Sequence, residues 1–131
     1  KLKMVVRILR TYRNTIMTEH EEIRLKSLQK KLVSNSRAIL LEHITIPLGS
    51  LKMAQITSWI EQIKPITELD LKVFSDYNNQ TSNYPLGEDR IRYNAMFLAE
   101  LDIKLDDVTS YFKSRIEEKC LEIIEKFAVE K

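Results

Sequence analysis

The sequence predicts an all-α protein: an elongated antiparallel three-helix bundle, its middle helix kinked or broken at Pro65, with two units pairing as a dimer. Three observations lead there. Apolar residues of the last third fall at Ile91, Leu98, Leu101, Leu105, Val108, Phe112, Ile116, Cys120, Ile123 and Phe127. From Leu98 onward the steps are threes and fours, the repeat of one helix face and the spacing of coiled-coil packing. Helix breakers are scarce: two Gly and three Pro in 131 residues, all between Pro47 and Gly87. Sandwiches and barrels need frequent turns and are excluded by that distribution. Finally, 44% apolar and 31% charged residues suit a packed core and not a disordered chain.

The first helix is expected over residues 1–42. Leu2, Val5, Leu9, Tyr12 and Ile16 share one face, Lys3, Arg7 and Arg10 another, with Arg13 at its flank. Ile23 continues the apolar stripe, which then drifts through Leu25, Leu28, Leu32 and Ile39. Ser34-Asn35-Ser36 is its weak point, since short polar side chains compete with helical backbone bonds. Ala38–Leu41 is apolar all round, which implies burial at a bundle end or contact with another subunit.

Glu42–Ser50 reads as the first connection, with Pro47 and Gly49 as breakers and Ser50 as N-cap. The middle helix is expected from Leu51 to Lys64, burying Met53, Ile56, Trp59, Ile60 and Ile63. Pro65 kinks or ends it, and Thr67 restarts it with Leu69, Val73 and Tyr77 inward. Asn78 to Leu86 is the main exposed loop, and Gly87-Glu88-Asp89 is expected to open the last helix. A helix of about 40 residues is about 60 Å long and needs a partner of similar length. The chain is expected to be a single domain over 1–131, and its first residue, Lys, suggests a fragment of a longer chain.

The formal net charge of +2 hides an asymmetry: residues 1–42 carry +6 and residues 43–131 carry −4. Five Lys/Arg and no acid occupy the first thirteen residues. Lys3, Arg7, Arg10 and Arg13 are therefore candidate contacts for an anionic surface, such as a membrane. Nucleic acid is disfavoured, because Tyr12 is the only aromatic there for bases to stack on. Ile39, Leu40, Leu41, Met96 and Phe97 are the candidate protein-contact residues, being those for which a monomer has least use.

Catalytic signatures are missing. His20 and His43 lack the Glu-x-x-His spacing of di-iron bundles, there is no Gly-rich phosphate loop, and Cys120 is a lone thiol on an apolar face. Glu19-His20-Glu21-Glu22 crowds polar groups that point different ways on a helix. Asp102 and Asp106 share a face and need a cation, expected from the first helix. No enzyme, cofactor or metal site is expected. A single cysteine suits a reducing compartment, cytoplasm or nucleus.

The sequence thus points to a helical protein–protein interaction or scaffold module within an intracellular complex, a homo-oligomer or hetero-complex subunit. Two alternatives stand beside it. One is a membrane-surface scaffold using the basic amphipathic helix. The other is a helical cytokine-like ligand, suggested by the chain length and the Asn79-Gln80-Thr81 sequon.

Overall fold

The computed structural model describes residues 17–86 and 88–128, and among these the chain is all-helical. The described residues form four α-helices where three rods were expected: α1 (Glu19–Leu40), α2 (Ile46–Glu61), α3 (Lys72–Thr81) and α4 (Ala95–Phe127), with a 3-10 segment at Glu88–Arg92.

Helix α1 starts later than the apolar stripe alone implies. Thr18 adopts extended backbone and its hydroxyl accepts from the Glu21 N–H, while the Glu21 carboxylate accepts from the Thr18 N–H. This capping box satisfies two donors that a helix start leaves unpaired. Residues 1–16, including the face of Leu2, Val5, Leu9 and Tyr12, lie outside the described residues. Ser34–Ser36 does not break the helix. The Ser36 hydroxyl donates to the Leu32 carbonyl at 2.9 Å, and the Asn35 amide donates to the Gly49 carbonyl of α2 at 2.9 Å. Both polar groups are thereby buried with a partner, as burial requires.

The C-terminus of α1 closes with Glu42 in the left-handed region (φ 60). The Glu42 N–H donates to the Ile39 carbonyl and the His43 N–H to the Ala38 carbonyl. That is the Schellman pattern with Glu in the place usually held by Gly. The missing Gly is why the sequence pattern runs past the true helix end.

Thr45, not Ser50, caps α2; its hydroxyl accepts from the Leu48 N–H. Pro47 sits in the first turn, where its missing donor costs no helical bond. Gly49 lies inside α2 because α1 crosses there: a Cβ at Gly49 would come within 2.5 Å of the Ile39 side chain. The expected breakers are thus part of a helix, and the connection shortens to the residues between Leu40 and Ile46.

Pro65 does more than kink. Residues 62–71 turn the chain back, so that the expected second piece becomes a separate helix antiparallel to α2. The Asn78 amide, near the end of α3, donates to the Ser50 carbonyl near the start of α2. Thr67 caps nothing; Asp70 accepts from the Lys72 N–H as α3 begins. Asn78–Thr81, expected in a loop, forms the last turn of α3, and Thr81 is buried with its hydroxyl on the Tyr77 carbonyl.

Helix α1 packs on α2 and α4, and α3 packs on the same two, so the helices stand at the corners of a quadrilateral. Leu32, Met53, Phe74, Tyr77, Phe112 and Ile116 fill its centre, each at most 2% exposed. The Tyr77 ring meets Phe112 edge-on at 5.5 Å, and its hydroxyl pairs with Thr109 Oγ1 at 2.7 Å. Cys120 is fully buried, and burial pushes its thiol up to about 11 despite the Ser36 hydroxyl, which acts to lower it. Among the described residues, no helix is long and apolar enough to cross a membrane.

Candidate functional site

Helix α4 has 33 residues, about 50 Å of rod, against 22 residues or about 33 Å for α1. The two run antiparallel: Leu25 and Phe127 line one crevice at one end, and Ile39 and Leu105 line a groove at the other. The excess length of α4 therefore projects past the α1–α2 turn. Leu105 is its first buried residue; none of the side chains from Ala95 to Lys104 is buried.

This overhang has a defined start. Asn94 Oδ1 accepts from the Phe97 N–H at 2.8 Å, which resets the helix after the 3-10 segment. Ile91 consequently leaves the apolar stripe and is 88% exposed. Met96 (82%), Ile103 (64%) and Phe97 (43%) are exposed as well. Tyr93 stacks on Phe97 with ring centres 5.5 Å apart. Leu98 and Leu101 continue the core stripe but are only half-buried.

A clamp fixes the overhang to the segment before it. Arg90 donates from Nη1 and Nη2 to the two Asp102 oxygens at 2.9 and 3.0 Å, and Nη1 also reaches the Pro85 carbonyl at 3.2 Å. The Arg90 hydrogen bonds hold the Asp102 carboxyl below its ordinary value of 3.8. The cation that Asp102 requires thus comes from the 3-10 segment and not from the first helix.

Where the overhang leaves the bundle, a groove of about 760 Å³ opens beside the α1–α2 turn. Ile44, Ile46, Leu48, Leu86 and Leu105 form its apolar lining. Glu42, Asp106 and Glu117 stand at its rim with Lys113, while Arg90 is occupied by Asp102. The groove begins at Leu105, where the overhang ends. On its α4 side Leu105 is followed by Asp106, Thr109, Ser110, Lys113 and Glu117, and its apolar lining otherwise comes from Ile39, Ile44, Ile46, Leu48 and Leu86.

The candidate contact residues separate accordingly. Met96 and Phe97 lie on the overhang, and Leu41 is 64% exposed at the α1–α2 turn. Leu40 is half-buried against the core. Ile39 is 3% exposed and packs on Gly49, so this chain's own core uses it and it is not available at the surface. Lys3, Arg7, Arg10 and Arg13 lie outside the described residues. Sequence periodicity missed Leu86 and Ile103. Ile103 lies off the stripe, and a groove is a property of how elements meet.

The polar clusters resolve into structural roles. Glu21 belongs to the capping box, and Glu19, His20 and Glu22 are exposed around it. Among the described residues, no group of three or more His, Cys, Asp or Glu side chains is placed to hold a metal ion. Compared with known proteins, the chain matches no family model, no curated protein and no solved structure.

Proposed function

We propose that the chain is a non-enzymatic helical interaction and scaffold module of an intracellular complex. It binds protein partners, a second copy among them, through the α4 overhang and the adjoining groove. The observation that supports this reading is the projection of α4 beyond its neighbours with Met96, Phe97 and Ile103 uncovered on it. Water contact at such side chains is unfavourable by roughly 25 cal/mol per Å² of apolar surface. Side chains clustered on a rod clamped by Arg90 and Asp102 are preorganised for a partner helix, which lowers the entropic cost of docking. The charged rim would favour basic partners and reject acidic ones. Pairing into an elongated dimer belongs to this proposal.

The test is site-specific photocrosslinking in cells. A benzophenone amino acid replaces Met96 on the overhang, or Ser114 on an exposed position of the core half of α4. The proposal expects discrete protein adducts, to a second copy or to another protein, from position 96 and not from position 114. Equal or absent crosslinking at the two positions overturns it.

A further inference from the structure

We infer that the groove between α1 and α2 binds a small organic phosphate. The flat apolar body of the ligand lies against Trp59, and Lys31 and Lys52 meet its phosphate.

The groove follows from the way the two helices pack. They touch closely where Ile39 lies against Gly49. Away from that contact α1 offers α2 little bulk. Ser34 and Ala38 are small, and Asn35 is held down by its hydrogen bond to the Gly49 carbonyl. A groove of about 570 Å³ results, within the range of about 300–1,000 Å³ typical of small-molecule sites. Its lining comes from α1, α2 and the turn between them, and α4 with its overhang contributes none of it.

Two independent features select the ligand. The first is an apolar base. Ala38, Ile44, Ile56 and Trp59 line the groove. The spacing of α2 marks Trp59 for the core, yet it is only half-buried there. An indole at the wall of a groove is a broad flat surface on which a planar ring can stack.

The second is unanswered positive charge. Lys31, Lys52 and His43 line the groove, and none of its lining residues is an acid. Two other grooves of similar or larger volume differ in this respect. Glu61 and Asp70 line the one between α2 and α3, and Glu42, Asp106 and Glu117 the one beside the overhang. Neither lysine can be neutralised from its own helix, because no Asp or Glu stands three or four positions from either. Among the described residues, neither takes part in an ion pair. Two ammonium groups match a phosphate monoester, which carries about −1.5 to −2 charge at neutral pH. Inorganic phosphate would leave the apolar base wet, and a neutral or cationic ring would leave the lysines unanswered. An organic phosphate satisfies both.

The test titrates the full chain, labelled with nitrogen-15, with 1-naphthyl phosphate. Trp59 is the only tryptophan, so its indole N–H gives a single resonance that reports on this groove. A saturable shift of that resonance is expected. Inorganic phosphate, which lacks the ring, and 1-naphthylmethylamine, which carries the opposite charge, are each expected to bind about ten-fold more weakly or worse. The double variant Lys31→Glu, Lys52→Glu is expected to weaken 1-naphthyl phosphate by about ten-fold or more, with circular dichroism unchanged. Lys72→Glu with Lys126→Glu makes the same change in net charge on exposed residues outside the groove. That control is expected to stay within about two-fold of wild type, because distant surface charges are screened by salt.

An indole resonance that does not move with 1-naphthyl phosphate overturns the inference. Equal binding of 1-naphthylmethylamine would reduce the groove to an apolar surface, and equal binding of inorganic phosphate would reduce it to a cationic one; either result overturns it. Equal losses in the two double variants would do the same, since net charge alone would then account for binding. None of these outcomes bears on the crosslinking contrast between positions 96 and 114.

Discussion

The two halves of α4 share one backbone and have opposite environments. From Leu105 to Ile123 the helix buries Phe112, Ile116, Cys120 and Ile123 against three neighbours; from Ala95 to Lys104 no side chain is more than half-buried. Local sequence differs little between them, since both carry apolar residues three and four apart. What differs is the length of the partners. Helix α1 reaches only as far as Leu105, and a stripe with no helix opposite becomes surface. An apolar periodicity therefore specifies a face, and the length of the neighbouring helices specifies whether that face is core.

The largest expected effect falls on the buried half. Ile116→Ala removes a fully buried side chain and is expected to cost about 2–5 kcal/mol, read from chemical denaturation. A loss below about 1 kcal/mol would mean that the packed half is no better packed than the projecting one.

Next is an alkaline effect carried by Cys120. The unfolded chain releases this proton near its ordinary value of 9.0, whereas the fold holds it until about 11. Between those values the unfolded state binds fewer protons, so stability falls as pH rises. The stabilisation is fully present below about pH 9. About 2–3 kcal/mol of it is lost by pH 11, at 1.36 kcal/mol per unit. Tyr77, raised above 10.0 chiefly by burial, acts in the same direction. Comparing Cys120→Ala with wild type across that window isolates the thiol: the variant should show the shallower decline. Equal slopes would show that the thiol titrates as it would in water.

The smallest effect belongs to the overhang. Ile103→Ala, the same substitution thirteen positions earlier on the same helix, is expected to change the stability of a single copy by less than about 0.5 kcal/mol in dilute solution. A cost similar to that of Ile116 would show that something in the chain covers the overhang and would erase the contrast.

The legibility of the fold follows the same division. The inward faces of all four helices could be read from spacing, and Leu28, Leu32, Met53, Ile56, Ile60, Phe112 and Ile116 are core as their periods require. Helix ends were harder to read. Thr18 and Glu21 spell a capping box in the sequence, but the uninterrupted stripe on either side of it outweighs that local signal. The end of α1 carries no Gly, because Glu42 takes the left-handed residue. Pro47 and Gly49 read as breakers, yet one sits where no donor is needed and the other where α1 crosses too closely for a Cβ. The split at Pro65 could be read; the reversal of direction after it could not, since a proline stops a helix without stating where the chain goes next. As for the site, Met96 and Phe97 stood out as apolar residues in excess of one stripe. The groove did not, because Ile44, Leu86 and Leu105 are distant in sequence and meet only through the arrangement of the helices.

The continuity of α4 has a mechanical consequence. No Gly or Pro interrupts it from Ala95 to Phe127, so the projecting ten residues behave as a cantilever built into the core, with a lever arm of about 15 Å. A tilt of about 10° at Leu105 displaces the tip by about 2.6 Å, nearly one hydrogen-bond length. Whatever grips Phe97 and Met96 thus holds a pointer whose bearing is set by the packing of Phe112 and Ile116. A small repacking of the interior is expressed at the tip as an amplified change of position.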